Sequence, residues 1–380
     1  MDKVRLGLVG CGGMGQGHLA AMKELTEAQL TAVCDVDAEA AKKVGTENGV
    51  PYFNDYQKMI KSGLCDAVLV VTPHYFHHEV GIAAFKAGLH VLSEKPITVT
   101  VSAADAFIAA AKKSKKVFGV MFQQRTLPEM RLAHQIVKSG RLGEIKRTLM
   151  VYADYRSQAY YNSAGWRGTW SGEGGGVLLN QAPHGIDLFM RLGGLPCRVT
   201  ARTRTKLHKI EVEDEACALL EYPNGAWGYY YACTCEAPGG PGMEITGDRG
   251  RLIWRNDELK LFSFKPSTSE HNATCKVMWG GPEVSEEKLE LPKAETGHKE
   301  IIRNFCAAIL RGEELITPGV EGIWSVEFIN ALILSGKKGK PVDIPVNRQE
   351  YDRILEKLKK GSKAKKTVKV ARVTDPKFAK

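Results

Sequence analysis

The residues that could do chemistry in this 380-residue chain begin at its tenth position. An apolar run over 4–9 ends in Gly10-x-Gly12-x-x-Gly15, with Gly13 and Met14 inside the motif. At this spacing Gly10 permits a tight strand-to-helix turn, Gly12 lets the backbone approach a pyrophosphate, and Gly15 lets the following helix pack on the strand. The helix N-terminus then offers N–H groups and partial positive charge to phosphate oxygens. A second apolar run, 30–34, ends in Asp35, twenty residues after Gly15, where a carboxylate can bond the hydroxyls of an adenosine ribose. The plainer alternative is a tight turn with Asp35 as a helix cap; strand, turn, helix and acid in that order favour a dinucleotide site. An acid repels a 2′-phosphate and no Arg stands at 36–38, so NAD is expected rather than NADP. Further on, Glu94-Lys95-Pro96 follows a short apolar run, 90–92. Ligands of an open α/β sheet bind outside the carboxyl ends of its strands, so Lys95 is aimed at the cleft where a nicotinamide would lie. The alternative is a surface Lys paired with Glu94. Pro96 is a candidate cis proline.

The elements that must position these groups follow from periodicity. Apolar runs at 4–9, 30–34, 67–71, 90–92 and 117–121 alternate with helical patterns near 14–25, 38–48, 55–62, 77–87 and 102–114. That alternation predicts a Rossmann-type α/β domain with a parallel sheet over 1–124. A helix over 129–139 and an alternating strand over 145–155 follow, then a Gly-rich turn at 172–176 and a helix to 191. Strand-like runs at 197–205, 214–222, 226–235, 242–247 and 250–255 come without intervening helices. This predicts an α+β domain over 125–345 with a large open, mostly antiparallel sheet. The stretch 264–297 is polar and poorly periodic and reads as a long loop or excursion. Helices return at 298–310, 320–335 and 347–359. Trp227, Tyr229, Tyr230 and Tyr231 lie on one strand and are expected to pack the sheet, with a homodimer or homotetramer through its open face.

Net charge is +10, but 336–380 alone holds 15 basic and 5 acidic residues, so the rest is balanced. The excess therefore belongs to a C-terminal helix and basic tail, 346–380. The tail reads as solvated; with sparse aromatic interleaving, nucleic-acid binding is the weaker alternative. Nine scattered cysteines and no leader-like opening lead to an expectation of reduced thiols in the cytoplasm, and no run of about twenty apolar residues predicts a membrane span.

The motifs also occur in a recognisable order: Gly10–Gly15, Thr72-Pro73-x-x-x-His77, Ala87-Gly88-x-His90-Val91, Glu94-Lys95-Pro96, and the run Gly174 to Asp187 containing Asn180, Pro183 and His184. Over roughly residues 3–340 the chain resembles the Gfo/Idh/MocA family of nicotinamide-dependent oxidoreductases. The resemblance implies that Thr72, Pro73 and His77 line the cofactor cleft, that Glu94 and Lys95 lie near the nicotinamide ribose, and that Gln123 lies near the carboxamide. It also implies a Lys and a His facing one substrate hydroxyl, and a second domain that covers the substrate.

Oxidising a secondary alcohol needs a bound nicotinamide, a base for the hydroxyl proton and a group that stabilises oxyanion charge. His184 is the expected base, Lys95 its electrostatic partner. A helix starting at Gly176 or Asn180 would place Asn180, His184 and Asp187 on one face. Many members of the resembling family carry Asp where this chain has Asn180, and an amide positions by hydrogen bonds only. Two alternatives stand beside these roles: Asn180 as a helix N-cap, and His184 as a packed core residue satisfied by Asp187. Arg156, Tyr160, Trp166 and Arg167 lie in a segment dense in aromatics and arginine ahead of the Gly-rich turn. Aromatic faces stack on sugar C–H groups and Arg forks bond vicinal hydroxyls, so with His184 they form a candidate substrate wall for a sugar or polyol; interface packing is the alternative. His74, His77 and His78, and Cys233-x-Cys235, lack the remaining ligands of a metal set, and no metal is expected. The leading expectation is an NAD-dependent dehydrogenase acting on a ring hydroxyl of a sugar, glycoside or inositol. The alternative is an NAD-dependent glycosidase or lyase that works by transient oxidation and elimination.

Overall fold

A computed structural model describes residues 2–363. The first sheet has six parallel strands: β1 (Val4–Val9), β2 (Ala28–Cys34), β3 (Tyr52–Phe53), β4 (Ala67–Val70), β5 (His90–Ser93) and β6 (Phe118–Val120). Their spatial order is β3-β2-β1-β4-β5-β6. β4 is Ala-Val-Leu-Val and every side chain in it is buried, the pattern of a strand covered by helices on both faces. Reversal of strand order at β1/β4 leaves a crevice at the carboxyl ends of those strands, where Gly10 and Thr72 stand. The two-residue β3 is too short to announce itself by alternation.

The second sheet has nine strands: β7 (Ile145–Ala153), β8 (Arg198–Arg204), β9 (Glu215–Glu221), β10 (Trp227–Cys233), β11 (Gly240–Gly247), β12 (Gly250–Arg255), β13 (Glu258–Lys265), β14 (Glu283–Glu287) and β15 (Val342–Asp343). Their order is β14-β13-β12-β11-β7-β10-β9-β8-β15, and only β7 and β10 pair in parallel. Along β10 the alternation of side chains is resolved by burial. Tyr230 turns inward, with its ring 5.2 Å from Phe328 and 5.9 Å from Phe189, whereas Trp227 and Tyr229 remain exposed. The inner face is covered by the helices Pro183–Gly193 and Gly322–Lys338.

The expectation of a long loop over 264–297 is corrected. That stretch holds the end of β13, the helix Thr268–Thr274 and all of β14. β14 is Glu-Val-Ser-Glu-Glu, a polar edge strand whose charge hides its period and also blunts edge pairing. Two later helices close the molecule. Gly297–Arg311, from within the span assigned to the second domain, packs Ile301, Ile302 and Phe305 into the core of the first sheet. Gly322–Lys338 is buried between the two halves. Its Asn330 amide donates to the Val99 carbonyl and accepts from the Val101 N–H, fixing the chain just beyond Pro96. Helix Arg348–Lys360 ends the described chain, and the basic tail beyond 363 lies outside the described residues. Among the described residues, no helix is long and apolar enough to cross a membrane.

Candidate active site

The dinucleotide end is built as its glycines require. Gly10 has φ +108°, a conformation that L side chains rarely adopt. A Cβ on Gly15 would collide with the Gly10 carbonyl oxygen, while a Cβ on Gly12 would meet nothing within 4 Å, leaving room for a ligand to approach the backbone. Gly13, Met14 and Gly15 form the first turn of helix Gly13–Lys23, which no side chain caps. Asp35 ends β2, its Oδ2 accepting from the Cys11 N–H at 2.7 Å and its Oδ1 from the Asp37 N–H at 2.9 Å. The helix cap is Asp37, which settles the alternative raised for Asp35. Val36 beside it is exposed, and no cation follows there. The Thr72 hydroxyl and the Gln123 Oε1 are buried without a partner. Orphaned polar atoms of that kind are rare and await a ligand or water. An uncapped helix turn, open space over Gly12, a carboxylate just after β2 and two unpartnered polar groups together fit a nicotinamide dinucleotide.

Lys95 leaves the end of β5 on a cis Lys95–Pro96 bond and crosses to the second half, where Nζ donates to the main-chain carbonyl of Asn180 at 2.9 Å. Burial lowers its pKa. His184 enters from the other wall. Its Nε2 lies 3.4 Å from the Gln123 amide nitrogen, which can only donate, so in a neutral ring Nε2 is the acceptor and the buried, unpartnered Nδ1 carries the proton. Burial, with the Lys95 charge, pushes the His184 imidazole down to about 3, so the ring is neutral. Beneath Lys95, Glu94 accepts from His18 Nε2 at 2.7 Å and from the Lys95 N–H at 3.0 Å. Burial pushes the Glu94 carboxyl up, but His18, Lys95 and His298 outweigh it and hold the group at about 2. The His298 ring, from helix Gly297–Arg311, stands edge-on to His18 at 5.1 Å.

The expected single helix face is not present. Asn180 closes the short helix Val177–Asn180, and His184 starts another, Pro183–Gly193, because the backbone turns between them. Asn180 is therefore not an N-cap. Asp187 does not satisfy His184 either: both its oxygens take the Arg125 guanidinium, at 2.7 and 2.5 Å, in a buried bidentate pair. His77 lies in the cleft wall as a clamp, with ring nitrogens 2.7 Å from the Pro96 and Thr72 carbonyl oxygens. Pro73 begins the turn that carries it. His74 turns instead to the Glu173 carbonyl, so the three neighbouring histidines do not converge.

Of the residues expected to line a substrate, Tyr160, Arg167 and Trp166 form one stack. Arg167 lies 4.3 Å over the Tyr160 ring and 4.5 Å over Trp166, and its fork bonds the Tyr160 hydroxyl. That hydroxyl also receives the amides of Asn180 and Gln181, at 3.2 and 2.9 Å, which joins the wall to Asn180. The Arg156 fork is taken by Asp154 and contributes to the wall through its 5.4 Å approach to Tyr160.

Sequence reasoning missed Glu173, which is fully buried in the Gly-rich turn with one oxygen on the Gly168 N–H at 2.5 Å and the other on the Asn180 amide. Burial pushes this carboxyl up to about 7. It also missed His18, His298 and the Arg125–Asp187 pair. An acid embedded among glycines and a His on a helix interior are common, and their partners lie 76 or more residues away for His18 and 62 away for Arg125. Only the position of Glu173 directly before Gly174–Gly176 was available as a signal.

Residues 4–122 match the oxidoreductase family Gfo/Idh/MocA, NAD-binding Rossmann fold, and residues 130–253 match the Gfo/Idh/MocA C-terminal domain. Levoglucosan dehydrogenase of Pseudarthrobacter phenanthrenivorans is 26% identical, over 91% of this chain and 99% of its own length. The NADP-dependent scyllo-inositol 2-dehydrogenase of Bacillus subtilis is 24% identical, over 90% and 96%. The solved WlbA dehydrogenase of Bordetella pertussis, in complex with NADH and UDP-GlcNAcA, superposes with a TM-score of 0.77 at 27% identity, covering 91% of this chain and all of its own. With both domains matched in order and a cleft that fits a nicotinamide dinucleotide, the chain belongs to the Gfo/Idh/MocA family of NAD(P)-binding oxidoreductases.

Proposed function

We propose that this protein is an NAD-dependent dehydrogenase that oxidises a ring hydroxyl of a sugar, glycoside or inositol. The observation that carries the reading is the meeting of Lys95 and the Asn180–His184 segment across the crevice, close enough for the Lys95 charge to lower the pKa of the His184 imidazole. A nicotinamide held by the Gly10–Gly15 turn, Asp35 and Gln123 would supply the hydride acceptor for the carbinol carbon. His184 receives the hydroxyl proton on Nε2, its acceptor nitrogen, and Lys95 stabilises the charge that develops on the same oxygen. A base forced down to about 3 is always free to accept, but holds a proton weakly. A developing alkoxide next to Lys95 compensates by lowering the acidity gap within the dry site. Asn180 orients the hydroxyl, and the Tyr160–Arg167–Trp166 stack holds the ring.

NAD rather than NADP is supported by Asp35 and by the exposed Val36, which offers nothing to a 2′-phosphate. A homodimer or homotetramer through the open sheet face is supported by exposed Leu219, Trp227 and Tyr229, and light scattering that gives a monomer would exclude it. The test of function is NADH formation, followed by absorbance, across inositols, hexoses and their glycosides. Lys95→Ala and His184→Ala should each lower turnover by ~10²–10⁴-fold while NADH still binds. Turnover unchanged in both variants, or glycoside cleavage with no net NADH, would overturn the dehydrogenase reading.

A further inference from the structure

We propose that Glu173 is a positioning residue of this site: its carboxylate fixes the Asn180 side-chain amide so that the carbonyl Oδ1, and not the NH₂, is offered to the substrate hydroxyl. The inference rests on the function proposed above and adds to it a residue outside the cleft wall. An asparagine amide is nearly symmetrical in shape, and its two ends have opposite hydrogen-bonding character. Here Nδ2 is held between the Glu173 Oε1 and the Tyr160 hydroxyl. Above pH 7, where the Glu173 carboxyl is ionised, turning the amide over would press Oδ1 against a carboxylate oxygen in a buried site, a repulsion that water does not screen. The carboxylate itself has no freedom to move away. Its other oxygen accepts the Gly168 N–H, and the Glu173 backbone carbonyl takes His74 Nδ1 at 3.1 Å. The same Asn180 also accepts Lys95 Nζ through its main chain, so Glu173, Asn180 and Lys95 form one connected unit. Glu173, through its bond to the Asn180 amide, supplies when ionised the negative charge that an acid at position 180 would bring directly.

The lock predicts a swap. In Glu173→Gln a new NH₂ faces the Asn180 NH₂, the amide turns over, and a donor replaces the acceptor in the cleft. Asn180→Asp alone sets two carboxylates against each other. Glu173→Gln with Asn180→Asp restores a donor–acceptor pair and leaves an acceptor for the substrate. Each single variant should lose ~10–100-fold in kcat on the best polyol of the panel, because a buried polar group is left mispaired. NADH affinity, by fluorescence titration, should hold. The double variant should recover at least ~10-fold over the worse single variant. A second readout needs no turnover: in Asn-¹⁵N-labelled protein the Asn180 NH₂ should be protected from solvent exchange, identified by its loss in Asn180→Asp, and should lose that protection in Glu173→Gln. Additive losses in the double variant, or an Asn180 amide equally protected with and without the Glu173 carboxylate, would overturn the proposal. If the wild-type protein oxidises no polyol, it is the proposed function that falls, and amide exchange still decides the lock.

Discussion

Asp187→Asn should uncouple the two walls of the site. Arg125 is 3% exposed, and its guanidinium makes two parallel bonds to Asp187, with Glu321 and the Ile316 carbonyl completing its shell. Removing one partner of a buried pair costs 3–5 kcal/mol, since the other charge is left in a medium that solvates it poorly. Glu321 still faces Arg125, so the lower figure applies, about 3 kcal/mol. For a chain of this size that corresponds to a fall of about 4 °C in Tm. The functional effect should be larger than the stability effect. Gln123 lies two residues before Arg125 in the short turn Gln123–Thr126 that follows β6, and His184 lies three residues, just under a helical turn, before Asp187. The pair therefore sets the 3.4 Å approach of Gln123 to His184. Loss of that register should lower kcat/KM by ~10²-fold, the usual consequence of a misplacement of about 1 Å. Replacing both partners, Arg125→Met with Asp187→Leu, should regain stability and leave turnover low, because apolar side chains restore packing but not the fork geometry. Scanning calorimetry and steady-state kinetics on the two variants check this. Wild-type turnover in Asp187→Asn, or turnover restored in the apolar double variant, would refute the positioning argument.

Other outcomes follow from single contacts. Gly15→Ala places a methyl group against the Gly10 carbonyl oxygen, so NADH should bind at least ~10-fold more weakly by fluorescence titration; unchanged affinity would mean that the turn is not the pyrophosphate site. Asp35→Ser with Val36→Arg should invert the preference toward NADPH, since it removes the repelling acid and adds a phosphate partner at an exposed position. Stability should also depend on acid. His74 and His184 are each driven down to about 3 by burial. The unfolded chain protonates them near 6.5, so the stability they confer is complete above that pH and is lost as pH falls toward 3. At pH 5 this amounts to ~2 kcal/mol for each group. Glu173 acts in the opposite sense: a carboxyl raised to about 7 confers stability at low pH that is lost as pH rises through 7. Urea midpoints at pH 5.0 and 7.5 should therefore differ more in Glu173→Gln than in the wild type, and equal midpoints in that variant would contradict the assignment of neutral, buried histidines.

How much of this was legible in the sequence depends on the range of the contacts. The strand–turn–helix at Gly10–Gly15 was legible because the three glycines answer a local steric demand, visible in φ at Gly10 and the crowding at Gly15. The parallel sheet was legible because strands such as Ala67–Val70 are buried on both faces, and the second sheet because runs such as Trp227–Cys233 alternate. β14 was illegible because an exposed edge strand has no buried face to impose a period on its residues. At the site, the residue types at 95, 180 and 184 could be read, but their arrangement could not. A helix drawn through 180–187 put Asn180, His184 and Asp187 on one face, whereas the backbone divides them and sends each to a different partner: Glu173, Gln123 and Arg125. Those partners come from two other segments, Glu173 from the Gly-rich turn and Gln123 and Arg125 from the turn after β6, and no periodicity links positions 61 or 62 residues apart. What determines the chemistry here is thus the pairing of buried polar groups, and that pairing is fixed by the requirement that each find a partner within the fold. Where the requirement is left unmet beside the crevice, at Thr72 Oγ1 and Gln123 Oε1, a bound dinucleotide of the kind proposed would meet it.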